Sequence, residues 1–126
     1  MEILIVESSL QIIERLEVIL SETKNITAIH RAFSFEEASK IFASAKPDVV
    51  LLDVGLPENK SVDLLKEIKA KKRKPVVIVL SSQTDMLTKE KYLSVGADFF
   101  FDKYHEFEKI TGVLNNIAEN IKRKTN

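Results

Sequence analysis

A parallel α/β sheet covered by helices on both faces is the fold class this sequence predicts. Three observations carry it. Near-continuous apolar runs of strand length recur along the chain, amphipathic segments at helical spacing separate them, and the two kinds alternate in the order β-α five times. Parallel strands buried on both faces read as unbroken apolar runs, and crossover helices supply the cover.

Ile3 to Val6 reads as a short buried strand. Ser8 or Ser9 then caps a helix whose Leu10, Ile13, Leu16, Ile19 and Leu20 fall at helical spacing. Thr27 to Ala32 alternates weakly and reads as a second strand. Ser34 followed by Glu37 is a capping-box spacing, opening a helix with Phe35, Ala38, Ile41 and Phe42 inward. Asp48 to Asp53 is the third strand and the most apolar run in the chain. A loop containing Pro57 leads to a helix on Val62, Leu65 and Ile68. Pro75 starts a fourth strand through Leu80. Ser81 to Thr84 is a polar turn, with Thr84 placed to cap a helix holding Leu87, Tyr92 and Leu93. Gly96 is placed to end that helix. Asp98 to Phe101 is the fifth strand. The last helix carries Phe107, Ile110, Val113, Leu114, Ile117 and Ile121, and is expected to fray into Lys122–Lys124.

The 126 residues suit one compact domain over 1–126, with no linker or repeat. Nineteen basic and nineteen acidic side chains cancel, so no global charge favours nucleic acid or an anionic membrane. The absence of cysteine excludes disulfides, thiolate metal sites and thiol nucleophiles. Met1–Val6 carries an acid and is too short to span a bilayer, which makes a cytoplasmic location the expectation. The basic cluster Lys71–Lys74 reads as a solvated helix end. His30 and His105 lack the paired spacing of a transition-metal site.

Residues at the carboxyl ends of the strands share one edge of such a sheet, where ligands bind. Here they are Glu7 and Ser8, Asp53, Ser81 and Ser82, and Asp102 and Lys103. Alone, Asp53 reads first as a strand-end cap and Glu7 as a solvated loop acid. Converged on one pocket, two carboxylates suit a hard divalent cation such as Mg2+. A lysine and a hydroxyl suit phosphoryl oxygens, and a carboxylate beside them is an oxygen nucleophile able to form an acyl phosphate. Asp102 reads as facing solvent.

With these residues in place, the chain resembles a response-regulator receiver domain over essentially its whole length. The matching segments are Ile3–Glu7, Pro47–Asp53 with Leu56-Pro57, Pro75–Ser81, and Gly96-Ala97-Asp98 leading to Lys103. The resemblance implies a flavodoxin-like, doubly wound five-stranded sheet of order 2-1-3-4-5. It also implies roles: Asp53 as phosphoacceptor, Glu7 and the Gly55 carbonyl as Mg2+ ligands, Ser81 and Lys103 on the phosphoryl group, and Phe100 as the aromatic switch. Partners implied are a histidine kinase or phosphotransfer protein and a downstream protein on the face of the fourth helix, fifth strand and fifth helix, without direct contact to nucleic acid or membrane.

Four positions depart from the family pattern. Ser8 stands where a second acid is usual, leaving Glu7, Asp53 and Lys103 with a net charge near −1 and a weakened Mg2+ site, with the Ser8 hydroxyl as a neutral substitute ligand. Unit charges about 4 Å apart interact by roughly 4 kcal/mol at an effective dielectric near 20, before hydration offsets it. Tyr104 replaces a cis proline; a non-proline cis bond costs about 2.5–4 kcal/mol, so a trans bond or a strained cis bond is expected, with an altered loop. Ser61 replaces a frequent glycine and Ser82 a frequent alanine.

The expected function is that of a stand-alone phosphorylation-dependent switch in a two-component phosphorelay, and not an enzyme. On phosphorylation Ser81 moves to the new oxygens and Phe100 turns inward. The alternative is a degenerate receiver acting as a phosphate-independent interaction module. A flavin- or nucleotide-binding protein is disfavoured because no Gly-rich phosphate loop follows the first strand.

Overall fold

The computed structural model describes residues 1–56 and 60–125, with side chains through residue 121; the loop position Pro57 lies outside the described residues. Five strands and five helices alternate: β1 (Glu2–Val6), α1 (Leu10–Ser21), β2 (Ala28–Ala32), α2 (Phe35–Ser44), β3 (Val49–Asp53), α3 (Ser61–Lys69), β4 (Val76–Ser81), α4 (Met86–Val95), β5 (Phe99–Asp102) and α5 (Phe107–Thr125). All strand pairings are parallel and the sheet runs β2-β1-β3-β4-β5, the predicted order.

The period-two alternation of side chains divides the apolar strands between two layers. Leu4, Val6, Val50, Leu52, Val77 and Val79 face α2, α3 and α4, where Ala38, Leu64, Leu65, Ile68 and Tyr92 are buried. Ile3, Ile5, Val49, Leu51, Ile78 and Leu80 face α1 and α5, packing on Ile13, Leu16, Leu20, Phe107, Ile110 and Leu114. Burying one such side chain fully is worth roughly 1.5–3 kcal/mol, so both faces are needed to hold the sheet.

The helix starts follow local chemistry. The Ser9 hydroxyl accepts the Ile12 N–H at 3.4 Å, which selects Ser9 over Ser8 as the cap of α1. Ser34 Oγ accepts the Glu37 N–H at 3.2 Å, and Glu37 reaches back to the Phe33 N–H at 2.6 Å, a capping box shifted by one residue. For α4 the cap is Asp85, not Thr84: Asp85 Oδ2 accepts the Thr88 N–H at 3.1 Å.

Several sequence expectations are corrected. Leu10 is exposed, because it occupies the first position of α1 before the helix meets the sheet. Leu87 is 79% exposed and Leu93 also faces outward, because α4 seats chiefly Tyr92 in the core. β5 begins at Phe99, and Phe99 is exposed; Asp98 instead accepts the Val77 N–H at 2.8 Å and the Lys69 ammonium at 2.5 Å. α3 stops at Lys69, so Lys71–Lys74 form an exposed loop, in which Arg73 pairs with Asp48 at 2.6 Å. α5 continues through Thr125 and does not end at Lys122.

Gly96 closes α4 with φ 121°, and a Cβ there would stand 3.0 Å from Lys69 Cγ. Lys69 is not free to swing away, since its ammonium also donates to the Pro75 carbonyl at 2.9 Å. Gly96→Ala is therefore expected to lower stability by about 1–2 kcal/mol, read as a lower urea midpoint at unchanged slope.

Candidate functional site

Register brings the site together. Val6 pairs with Leu52, so the next residues, Glu7 and Asp53, lie side by side at the carboxyl edge of the sheet. Asp53 pairs with Leu80, and Ser81 with Asp102, which places Lys103 one step beyond the last rung. The Lys103 N–H donates to the Ser81 carbonyl at 2.8 Å, extending the ladder to the residue that matters.

Glu7 and Asp53 are 2% and 3% exposed, and Lys103 is buried with them. The Lys103 ammonium stands 3.1 Å from Glu7 and 3.2 Å from Asp53 Oδ1, joining the two carboxylates. Its hydrogen bond goes to Glu7 Oε1 at 3.1 Å, which also accepts the Ser9 N–H at 3.1 Å. Glu7 Oε2 is buried without a hydrogen-bond partner. Asp53 Oδ1 accepts the Gly55 N–H at 3.0 Å, and a Cβ at Gly55 would meet that oxygen at 3.4 Å.

Burial and then the negative charge of Asp53 push the Glu7 carboxyl up from 4.5 to about 7, against the opposing pull of Lys103. For Lys103, burial works to lower the ammonium, but Asp53 and Glu7 outweigh it and hold it above its ordinary value. One cation is thus shared between two acids, and the pair stays short of positive charge.

That shortage is the observation that bears on Mg2+. Glu7 Oε2, which makes no hydrogen bond and meets only the Lys103 ammonium at 3.1 Å, forms with the neighbouring Asp53 carboxylate an oxygen set that fits a hard cation. Among the described residues no cluster of three His, Cys, Asp or Glu side chains gathers to hold a metal.

The other expected residues are placed less simply. Ser8 is exposed. The Ser81 hydroxyl is buried, but it is turned to its own loop: it donates to the Gln83 carbonyl at 2.8 Å and accepts the Gln83 N–H at 3.0 Å. Phe100 is 7% exposed and lies against Tyr92 with ring centroids 6.3 Å apart. Phe100 is thus turned inward in this structure. Its neighbours Phe99 and Phe101 stack on each other at 5.9 Å. The peptide after Lys103 is trans, no cis bond being present among the described residues.

Three contributors were missed from sequence. Ser61, seen only as a departure, is buried and donates its hydroxyl to the Asp53 carbonyl at 3.2 Å, fixing the start of α3 to the end of β3. Tyr92, read as a core residue, has its hydroxyl pushed up by burial and then by the charge of Asp53, which places it in the field of the site. Asp102, read as solvent-facing, caps the following turn through the Tyr104 and His105 N–H groups; an aspartate two and three residues ahead of those donors is the signal that pointed to it.

Comparison with known proteins agrees with this fold. The family model described as response regulator receiver domain matches residues 3–115. A probable C4-dicarboxylate response regulator, DctR of Bacillus subtilis, is 28% identical over 113 residues, 90% of this chain and 50% of that protein. The transcriptional regulatory protein KdpE of Mycobacterium tuberculosis is 35% identical over 103 residues, 80% of this chain and 43% of its own. The chain thus spans half or less of the length of these curated relatives. Among solved structures, the N-terminal domain of an uncharacterized Wolinella succinogenes protein superposes with TM-score 0.85 at 29% identity, covering 98% of each chain. A Francisella response regulator receiver domain superposes with TM-score 0.83 at 21% identity, covering 95% of this chain and 98% of its own.

Because Glu7 holds its proton more tightly folded than unfolded, the folded state binds more protons between pH 4.5 and about 7. Stability is therefore expected to fall as pH rises through that window and to level off above it. Urea denaturation at stepped pH should show the slope in the wild type, and Glu7→Gln should flatten it.

Proposed function

Since the chain belongs to the response regulator receiver domain family, homologous to the response regulators of two-component systems, we propose that Asp53 accepts a phosphoryl group from a histidine kinase or phosphotransfer protein and that the domain, taking in residues 1–126, works as a phosphorylation-dependent cytoplasmic switch. The observation that carries this reading is the Lys103 ammonium bridging the buried Glu7 and Asp53 at the carboxyl edge of the sheet.

In the reaction a carboxylate oxygen of Asp53 forms the new bond to phosphorus while the bond from phosphorus to the donor nitrogen breaks, and the donor imidazole leaves with its electron pair. The product is an acyl phosphate on Asp53, and the protein is the acceptor in that step, not a turnover enzyme. Lys103 is placed to stay beside Asp53 and pair with the phosphoryl oxygens. Ser81 has to give up its two contacts to Gln83 before its hydroxyl can reach those oxygens. Glu7, Asp53 and the Gly55 carbonyl are the residues that would hold Mg2+, with Ser8 or water as neutral ligands; bound there, the ion supplies positive charge to the phosphoryl oxygens. Ser8 in place of a second acid makes that site weaker than the family norm.

The added charge of about −1.5 to −2 on Asp53 biases a two-state equilibrium rather than creating one. The element poised to respond is the Tyr92–Phe100 stack, which joins α4 to β5 beside the site. Repacking it alters the face of α4, β5 and α5, where Leu87, Phe99 and Tyr104 are exposed and available to a downstream protein.

The engaged Ser81 hydroxyl and the single acid after β1 support a second reading, a phosphate-independent interaction module on the same fold. The two separate on a phosphate-affinity gel. Wild type treated with a small phosphodonor and Mg2+ should shift, Asp53→Asn should not, and Ser8→Asp should reach the same shift at lower Mg2+. An unshifted wild type at saturating Mg2+ leaves the interaction module standing.

A further inference from the structure

In the turn from β5 into α5 the Asp102 carboxylate collects most of the side-chain contacts. Asp102 Oδ1 accepts the Tyr104 N–H at 2.8 Å and the His105 N–H at 3.1 Å, and Oδ2 lies 3.1 Å from His105 Nδ1. The turn is closed from the far side as well: the Asp102 N–H donates to Glu106 Oε1 at 2.9 Å, and the Glu106 N–H to the Asp102 carbonyl at 3.2 Å. The Asp102 carboxyl is held below its ordinary range, first by the Tyr104 N–H and then by the His105 ring.

Lys103 is the residue enclosed by this cap. Lys103 is the first residue of the turn, and its backbone runs between the Asp102 carboxylate's contacts to Tyr104 and His105 and its own N–H bond to the Ser81 carbonyl at 2.8 Å. There its ammonium meets Glu7 and Asp53. Glu106 closes the turn from its far end, while Tyr104 and His105 are exposed, so the Asp102 carboxylate is the side chain that holds the two N–H groups directly after Lys103.

We propose that Asp102 is a positioning residue for phosphoryl transfer: its carboxylate folds the Lys103–Glu106 turn and thereby aims the Lys103 ammonium at Asp53. It never touches the phosphoryl group. The inference rests on the reading of Asp53 as phosphoacceptor, and it has a readout independent of that reading. An aspartate at this point shapes the backbone through the position of Oδ1, so the oxygen and not the charge is the operative element.

The test compares wild type with Asp102→Ala, Asp102→Asn and Asp102→Glu. Asparagine keeps an acceptor oxygen at the same distance from the backbone; glutamate keeps the charge and moves the oxygen away. The first measurement is the proton-exchange protection of the Lys103 ammonium by 15N NMR, without phosphodonor. The second is the initial rate of phosphate incorporation from acetyl phosphate with Mg2+. Ala and Glu variants should lose the protected ammonium signal and slow about tenfold, and the Asn variant should retain most of both. Should the Ala variant fail to fold, the Asn–Glu pair decides alone. Retention of the signal and the rate in the Glu variant, or their loss in the Asn variant, would overturn the proposal. If the wild type itself takes up no phosphate, the acceptor reading fails, while the ammonium signal still decides whether Asp102 positions Lys103.

Discussion

Two carboxylates buried side by side would repel each other, and the Lys103 ammonium between them is the interaction on which the site depends. A buried charge without a partner is costly, and the partner here arrives from the far end of the chain. One cation for two acids is an incomplete neutralisation. Its mark is the Glu7 carboxyl raised to about 7 with one oxygen lacking a hydrogen bond. The pocket is built to accept further positive charge, as a cation or as a proton on Glu7. Ser8 makes the balance tighter than two adjacent acids would.

The sheet exists to bring these residues to one edge. Parallel pairing of β1, β3, β4 and β5 fixes Glu7, Asp53, Ser81 and Lys103 in successive register positions, and two apolar layers keep the register from slipping. A shift by one residue would exchange Leu52 for Asp53 in the core. The same rigidity lets a small change at Asp53 reach α4 and β5, because Tyr92 and Phe100 are packed against each other just beneath the edge. α4 is loosely seated in this respect: it buries one large side chain, Tyr92, and leaves Met86 and Leu87 in solvent.

Legibility from sequence followed the strength of local signals. β1, β3 and β4 were readable because Ile, Val and Leu run without interruption. α2 and α5 were readable because their apolar residues keep helical spacing. α4 misled because Tyr92 and Leu93 stand five and six residues after Leu87, off the spacing that would put them on one helix face, and Thr84 imitated a cap one residue early. At the site, residue types and order along the chain pointed to Glu7, Asp53 and Lys103, while the orientation of the Ser81 hydroxyl and the inward position of Phe100 did not follow from them. Side-chain rotamers answer to neighbours that lie far away in sequence.

By itself the sequence determined the order of strands and helices, the apolar faces of most of them, and the four residues brought to the carboxyl edge. These follow from periodicity and from chain direction in a parallel sheet, which need no long-range information. Only the tertiary structure decided that Lys103 is shared between two acids, that Ser61 holds the Asp53 carbonyl, and that Asp102 folds the turn beneath Lys103. Each of these is a distance between atoms set by packing and register, and a carboxylate's role depends on what stands within about 3 Å of it.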